Sequence, residues 1–235
     1  MVKTAKKVDW FPVKNIWVIG VGGVGGILVH YLWKMFNRKG VTLHLIDGDN
    51  YTLSNLDRQY FNSFGNKADV TMKHIQSQPA TFLKIKAYPY YYLGGLVTKT
   101  FQPGSIVICA ADNHWARYKV QLECKGLQNV IFFSGGNEYT DGNVQFFVHK
   151  DGTRICGDYL ETYHPEFKVD KIGPQPNFSG SCDKKSDPQL LVTNLNVATI
   201  ILNTLTSILD DKLPKYSEVY FDVLKNTSKP IERNK

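Results

Sequence analysis

The chain reads as an α/β protein: a mostly parallel sheet with helices on both faces, and antiparallel strands in the C-terminal third. Three observations carry that reading. The first is Asn15-Ile-Trp-Val-Ile-Gly20-Val-Gly22-Gly23-Val-Gly25-Gly26, an apolar strand that ends in glycines with an apolar helical segment directly behind it. The second is a series of short apolar runs separated by helical stretches: Val41 to Asp47, Ser105 to Ala111 and Val130 to Ser134. Runs of this length fit strands buried on both faces, and their alternation with helices fits parallel βαβ units. The third is a change of character after Gly136. Asn143 to Lys150 and Thr153 to Cys156 flank Asp151-Gly152 and read as a hairpin.

Each element has its own signal. Residues 1–13 read as a loose lead-in. Ile27, Leu28, Tyr31, Leu32 and Met35 recur at helical spacing, so a helix is expected from Val24 to Phe36. Asn37-Arg-Lys-Gly40 stops it, with glycine where a C-cap falls. Ser54 to Phe64 is polar and aromatic and reads as loop, Lys67 to Ser77 as a short helix, and Ile85 to Tyr92 as a strand. Asn113 to Lys125 has a helical pattern. Residues 157–188 carry four prolines and little periodicity, the mark of a long irregular loop that is either functional or disordered. Gln189 to Leu209 reads as an apolar helix, Glu218 to Leu224 as the last strand, and the tail from Asn226 as frayed. Residues 1–235 then form one domain: a nucleotide-binding core at 15–150, the irregular loop at 157–188, and a C-terminal helix and strand at 189–224.

Composition excludes some classes of protein. With 43% hydrophobic and 21% charged residues the chain is an ordinary globular one, long enough at 235 residues to bury a full core. The formal charge of +7 is densest at Lys3 to Lys7 and Lys225 to Lys235, which reads as solubilising tails, with an acidic protein partner or a phosphate-bearing substrate as the alternative, and no nucleic-acid face is expected. No apolar run is expected to span a membrane, and the basic N-terminus lacks the apolar stretch of a secretory signal. Cysteines 109, 124, 156 and 182 form no CxxC pair, so free thiols in a reduced, cytoplasmic setting are expected.

The glycine segment is where chemistry begins. A helix N-terminus built on bare glycine backbone accepts a phosphate, which makes Gly20, Gly22, Gly23 and Gly25 candidate cofactor contacts. Asp47, ending the second strand, is placed to accept ribose hydroxyls. Glycines alone do not separate ATP from NAD. The next residues do: Asp47-Gly-Asp49 is followed by Ser54-Asn55-Leu56-Asp57-Arg58-Gln59 and then by Lys67. Arg58 offers a planar fork matched to phosphate oxygens, Asn55 can bond ribose or phosphate, and Lys67 adds a second cation. Asp112 and Asn113 end a buried run, and ligands of open α/β sheets sit beyond the carboxyl ends of strands. Asp112 therefore shares a rim with the glycines and is suited to hold Mg²⁺ against phosphate. Three plainer readings stand beside these: Asp112 as a helix cap, Arg117 as a helix-surface charge, and Arg58 as a solvated loop residue.

In order and spacing these pieces resemble the ThiF/MoeB/HesA family, the ubiquitin-activating-type adenylyltransferases. The resemblance rests on GxGGxG at Gly20 to Gly25, Asp47-x-Asp49, Ser-Asn-Leu-x-Arg-Gln at 54–59, Gly-x-Lys at 65–67, Asp112-Asn113, and Arg117 four positions beyond that Asn. Ser134-Gly135-Gly136 and Gly142-Asn-Val-Gln145 are also similar to family segments. It covers residues 15 to 150 well and continues loosely through Ser181-Cys182 and the helix behind it. The last third looks most like small bacterial ThiF proteins of plasmid-type cassettes, the PRTRC kind.

The resemblance implies a Rossmann-like fold, Mg-ATP as cofactor, and adenylation of the C-terminal glycine of a small ubiquitin-like or sulfur-carrier protein, by a homodimer. Asp47 would hold the ribose, with Asp49 and Asn113 in the same pocket. Asn55, Arg58 and Lys67 would seat the phosphates, and Asp112 would hold Mg²⁺. Cys182, beside Lys184 and Lys185, stands where some members accept the acyl group as thioester or acyl disulfide; the plainer reading is a small residue that caps or packs its loop. Two departures matter. The family's frequent zinc site uses two CxxC pairs, which this chain lacks, so no structural zinc is expected. Residues 1–14 contain no arginine, where many relatives send one from the dimer partner onto the phosphates. A nicotinamide-dependent oxidoreductase is the competing enzyme reading, and it leaves Arg58, Lys67 and Asp112 without roles. A catalytically degenerate, nucleotide-binding partner subunit is the competing non-enzyme reading.

Overall fold

The computed structural model describes residues 12–94, 100–169 and 189–232. The elements in chain order are β1 (Asn15–Ile19), α1 (Gly23–Phe36), β2 (Thr42–Ile46), β3 (Asn50–Tyr51), β4 (Gly65–Asn66), α2 (Lys67–Gln76), β5 (Lys84–Tyr88), β6 (Ser105–Cys109) and α3 (His114–Lys125). After these come β7 (Val130–Asn137), β8 (Asp141–Lys150), β9 (Thr153–Gly157), α4 (Leu160–Tyr163), α5 (Glu166–Val169), α6 (Leu191–Leu209), β10 (Glu218–Asp222) and β11 (Thr227–Ile231). A nine-stranded sheet runs in the order β11-β10-β8-β7-β6-β1-β2-β5, with β9 beside β8. The strands β5, β2, β1, β6 and β7 are mutually parallel. From β7 the chain turns back, and β8, β9, β10 and β11 pair antiparallel.

Strand alternation sorts the core onto the two faces. Ile16 and Val18 pack with Leu28, Leu32 and Trp33 of α1 and Val197, Ile201 and Leu205 of α6. Trp17 and Ile19 point the other way and pack with Val120 and Cys124 of α3, Leu160 and Phe167. Every residue of β6 is buried, as its unbroken apolar run requires.

Several expectations are corrected. The tail does not fray: Thr227–Ile231 pairs with β10, Asp222 opposite Thr227 and Glu218 opposite Ile231. The connecting turn is held by the Asp222 carboxylate, which accepts from the backbone N–H of Leu224 and Lys225. Asn226 takes a positive φ of 49°, a conformation Asn tolerates better than most residues. The strand expected to reach Tyr92 ends at Tyr88. The irregular region opens with two short helical turns, α4 and α5, and its residues 170–188 lie outside the described residues. Finally, α6 is long and apolar enough to cross a membrane, contrary to expectation. Its Val197, Ala198, Ile201, Leu205 and Ile208 are nonetheless buried in the core against α1, β7 and β8, so in this fold it is a core helix.

His44 couples the core to pH. His44 is 5% exposed and stacks on Trp17 with centroids 3.8 Å apart. Its two ring nitrogens meet the Tyr88 hydroxyl and the Asn15 Oδ1, each at 3.0 Å. Burial, helped by Lys86 and Lys84, pulls its pKa down to about 4. The unfolded chain takes up that proton below about pH 6.5 while the folded chain does not. The stability His44 contributes is therefore complete above about 6.5 and is lost as pH falls toward 4. Asp47, raised to about 6 by burial, acts in the opposite sense within the same window. The informative quantity is thus a difference between two proteins. Urea unfolding from pH 4 to pH 7 should show a shallower acid loss in His44→Phe than in the parent. Parallel curves would remove His44 from the acid sensitivity.

Candidate nucleotide site

Strand order reverses between β1 and β6, because β2 and β5 lie on one side of β1 while β6 and β7 lie on the other. That reversal leaves a crevice at the carboxyl ends of β1 and β6, where open α/β sheets bind ligands. Gly20 leaves β1 with φ +85°, and a Cβ there would stand 2.8 Å from the backbone carbonyl of Ala110. Gly25 packs against Gly20, with a Cβ position only 1.8 Å from its carbonyl oxygen. Gly23 lies against the side chain of Asn194 from α6. Gly22 is the N-cap of α1, with no side-chain cap and no acid in the first turn. The helix therefore offers bare N–H groups and its positive dipole end to an anion. The Gln59 amide stands 3.8 Å from the Cβ position of Gly22, which brings the 53–59 loop over the glycine turn.

The acids divide their labour. Asp47 is buried, and both its oxygens are engaged by backbone: Oδ2 accepts from Val21 N at 2.6 Å and Oδ1 from Asp49 N at 2.8 Å. It clamps the glycine turn to the end of β2. Burial raises its carboxyl to about 6, against the opposing pull of Lys67. Asp49 is the more open acid, its side chain 39% exposed. Its Oδ2 pairs with Lys67 Nζ at 3.1 Å and its Oδ1 accepts from the Tyr91 hydroxyl. Burial alone would pull the Lys67 ammonium down, but Asp47 and Asp49 outweigh it and hold the group above its ordinary value.

Asn66 positions this cluster. Its Oδ1 accepts from Ala68 N and Asp69 N as the cap of α2, while its Nδ2 donates to the carbonyls of Asp47 and Asp49. Sequence reasoning did not single it out. The signal available was an Asn directly before a helix, a strong cap preference. Asn55 is buried with Oδ1 accepting from Thr52 N at 3.0 Å, and Arg58 donates Nη1 to the Ser54 carbonyl at 2.9 Å.

Across the crevice, Asp112 is exposed at the end of β6. It is not a helix cap: Asn113 caps α3, accepting from Ala116 N at 2.7 Å. Asn113 has that backbone job, and the carboxylate beside it is left on the rim. Arg117 is not a surface charge either. It is partly buried, donating Nε to the Ala111 carbonyl at 2.7 Å, and its guanidinium lies against Gly136. Cys182, Lys184 and Lys185 lie outside the described residues. Cys109, Cys124 and Cys156 are buried, and burial pushes the Cys109 thiol up to about 11. Among the described residues no group of three or more His, Cys, Asp or Glu gathers as a metal cage. A single exposed carboxylate such as Asp112 is enough for an ion that takes its other ligands from a bound phosphate and water, as Mg²⁺ does.

The fold is an α/β protein of the Rossmann type, with its crevice where such open sheets take ligands. The chain belongs to the ThiF family, whose model matches residues 11–232. No curated protein sequence is significantly similar to it. Solved structures similar to it include Escherichia coli MccB with ATP, at 15% identity and a TM-score of 0.67, covering 94% of this chain and 64% of that one. MccB with MccA-N7isoASN gives 14% identity and a TM-score of 0.65, covering 93% and 64%. PaaA gives 14% and 0.63, covering 93% and 72%. The chain thus spans a little under two thirds of the length of MccB.

Proposed function

We propose that the chain is an ATP-dependent adenylating enzyme acting on the C-terminal carboxylate of a small ubiquitin-like or sulfur-carrier protein, in the cytoplasm and as a homodimer. One observation carries the reading: a bare α1 N-terminus, the buried cation Lys67 and the exposed carboxylate Asp112 converge on one crevice. The family membership and the likeness to MccB solved with ATP support it. The finer PRTRC-type placement is part of this proposal, as is acyl capture by Cys182.

In this reading α1 receives the phosphates on its first-turn N–H groups. Asp49, more open than Asp47, accepts the ribose hydroxyls, while Asp47 keeps the glycine turn in shape. Lys67, with Arg58 and Asn55 from the neighbouring loop, balances phosphate charge. Asp112 would hold Mg²⁺, which supplies charge neutralisation at the phosphates when bound. Catalysis is then positioning plus charge balance for a carboxylate approaching an anionic phosphate. The exposed Leu191, Val192 and Leu195 of α6 and Tyr31 of α1 support the dimer. Tyr90 and Tyr91 are exposed too, but Tyr92 is core.

Calorimetry with ATP and with NAD, each with and without Mg²⁺, tests the proposal. ATP with Mg²⁺ should bind tightest. Asp112→Ala should lose at least tenfold in affinity with Mg²⁺ present, about 1.4 kcal/mol, and little without it. Tighter binding of NAD, or an Asp112→Ala variant with unchanged Mg²⁺ dependence, would overturn the reading.

A further inference from the structure

Arg117 is poorly explained by packing alone. A planar cation is costly to bury unless its donors are used. Here Nε is used, on the Ala111 carbonyl at 2.7 Å. The terminal nitrogens have no hydrogen bond and no ion pair among the described residues. The surrounding surface is shaped to them: a Cβ on Gly136 would stand 2.3 Å from both Nη1 and Nη2. Only a glycine at the end of β7 lets the guanidinium lie there. Asp112 and Glu138 are near enough to act on its charge without forming an ion pair, and burial pulls its pKa down from the usual arginine range.

Position gives this fork a direction. The crevice lies between β1 and β6, and Gly136 lies one strand further out, on β7. A chain entering over β7 and β8 would meet Arg117 first, Asp112 next and the glycine turn last. An anionic nucleophile moving toward anionic phosphates needs a positive charge on that path, and a guanidinium fork matches a carboxylate. We propose that Arg117 is the anchor for the terminal carboxylate of the acyl substrate, held by Nη1 and Nη2 over Gly136. This rests on the adenylating reading and adds to it the group that receives the substrate's end.

The probes are glycylglycine and glycylglycinamide, titrated against the full chain with and without a non-hydrolysable ATP analogue and Mg²⁺. Saturable binding of glycylglycine at millimolar concentration is expected, with none of the amide. Arg117→Lys keeps the charge and loses the fork; its glycylglycine affinity should fall about tenfold, with nucleotide affinity changed less than twofold. Gly136→Ala is the second variant, which displaces the guanidinium while leaving Arg117 in the chain, and it should show the same selective loss. Circular dichroism and thermal unfolding check that each variant is folded. The proposal is overturned if the parent does not prefer the carboxylate over the amide. It is equally overturned if folded Arg117→Lys and Gly136→Ala bind glycylglycine as the parent does, or if they lose nucleotide affinity instead. Failure of nucleotide to bind the parent would sink the adenylating reading separately, since the titration without nucleotide still reports on Arg117.

Discussion

Gly25→Ala should cost the protein more stability than any other single methyl group added to the glycine turn. The new Cβ would stand 1.8 Å from the carbonyl oxygen of Gly20 and 2.9 Å from its carbonyl carbon, both backbone atoms. Gly20 cannot retreat. Its own Cβ position is already 2.8 Å from Ala110, its N–H donates to Ile46, and Val21 behind it is tied to Asp47. A clash with fixed backbone has to move α1 off β1, so the loss should reach or exceed the ~3 kcal/mol upper range of ordinary overpacking. Gly26→Ala is the matched control. Nothing lies nearer than the Val21 carbonyl oxygen at 3.7 Å, and the site is inside α1. Alanine there should gain up to about 1 kcal/mol of helix propensity, raising the Tm by about 2–4 °C. Thermal unfolding of the two variants decides it; equal changes would mean that the turn is loose.

That pair also shows what the sequence makes legible. Glycines between an apolar strand and an apolar helix announced the β1–α1 turn, and the unbroken apolar runs fit the parallel strands β1, β2, β6 and β7 buried on both faces. What sequence could not divide was adjacent residues of like chemistry. Asp47 and Asp49 look alike in sequence, yet one spends both oxygens on backbone N–H groups and the other faces outward. Asp112 and Asn113 are both good caps, and only the geometry of α3 gives the cap to Asn113. Arg117 reads as a surface charge because nothing local says that Gly136, nineteen positions away in the chain, leaves room for it. β11 escaped because Ser, Lys and Pro are poor strand formers. It is an edge strand, where Pro230 is tolerated opposite Val219.

Lys67→Met should produce the largest electrostatic effect, and one whose pH dependence identifies its cause. Lys67 is 8% exposed and is the cation that both Asp47 and Asp49 act on. Methionine keeps the packing volume and removes the charge, leaving a buried carboxylate, Asp47, without its compensating cation. The ion pair lost is with Asp49, whose side chain is 39% exposed, so the cost should stay below the roughly 3–5 kcal/mol of a fully buried pair. The sign with pH follows from Asp47. Its folded pKa is already raised to about 6 by burial, with Lys67 opposing the rise, so loss of Lys67 raises it further. A carboxyl with a raised folded pKa favours the folded state while protonated, and that contribution is lost as pH rises through the folded value. The deficit of Lys67→Met should therefore be largest near pH 8 and shrink toward pH 5, where Asp47 takes up its proton. Urea unfolding of parent and variant at the two pH values measures it. Nucleotide affinity at pH 8 should fall together with stability, because the same ammonium balances the phosphates in the proposed function. A deficit equal at both pH values would mean that Lys67 acts through packing alone, and the crevice would lose its principal fixed cation.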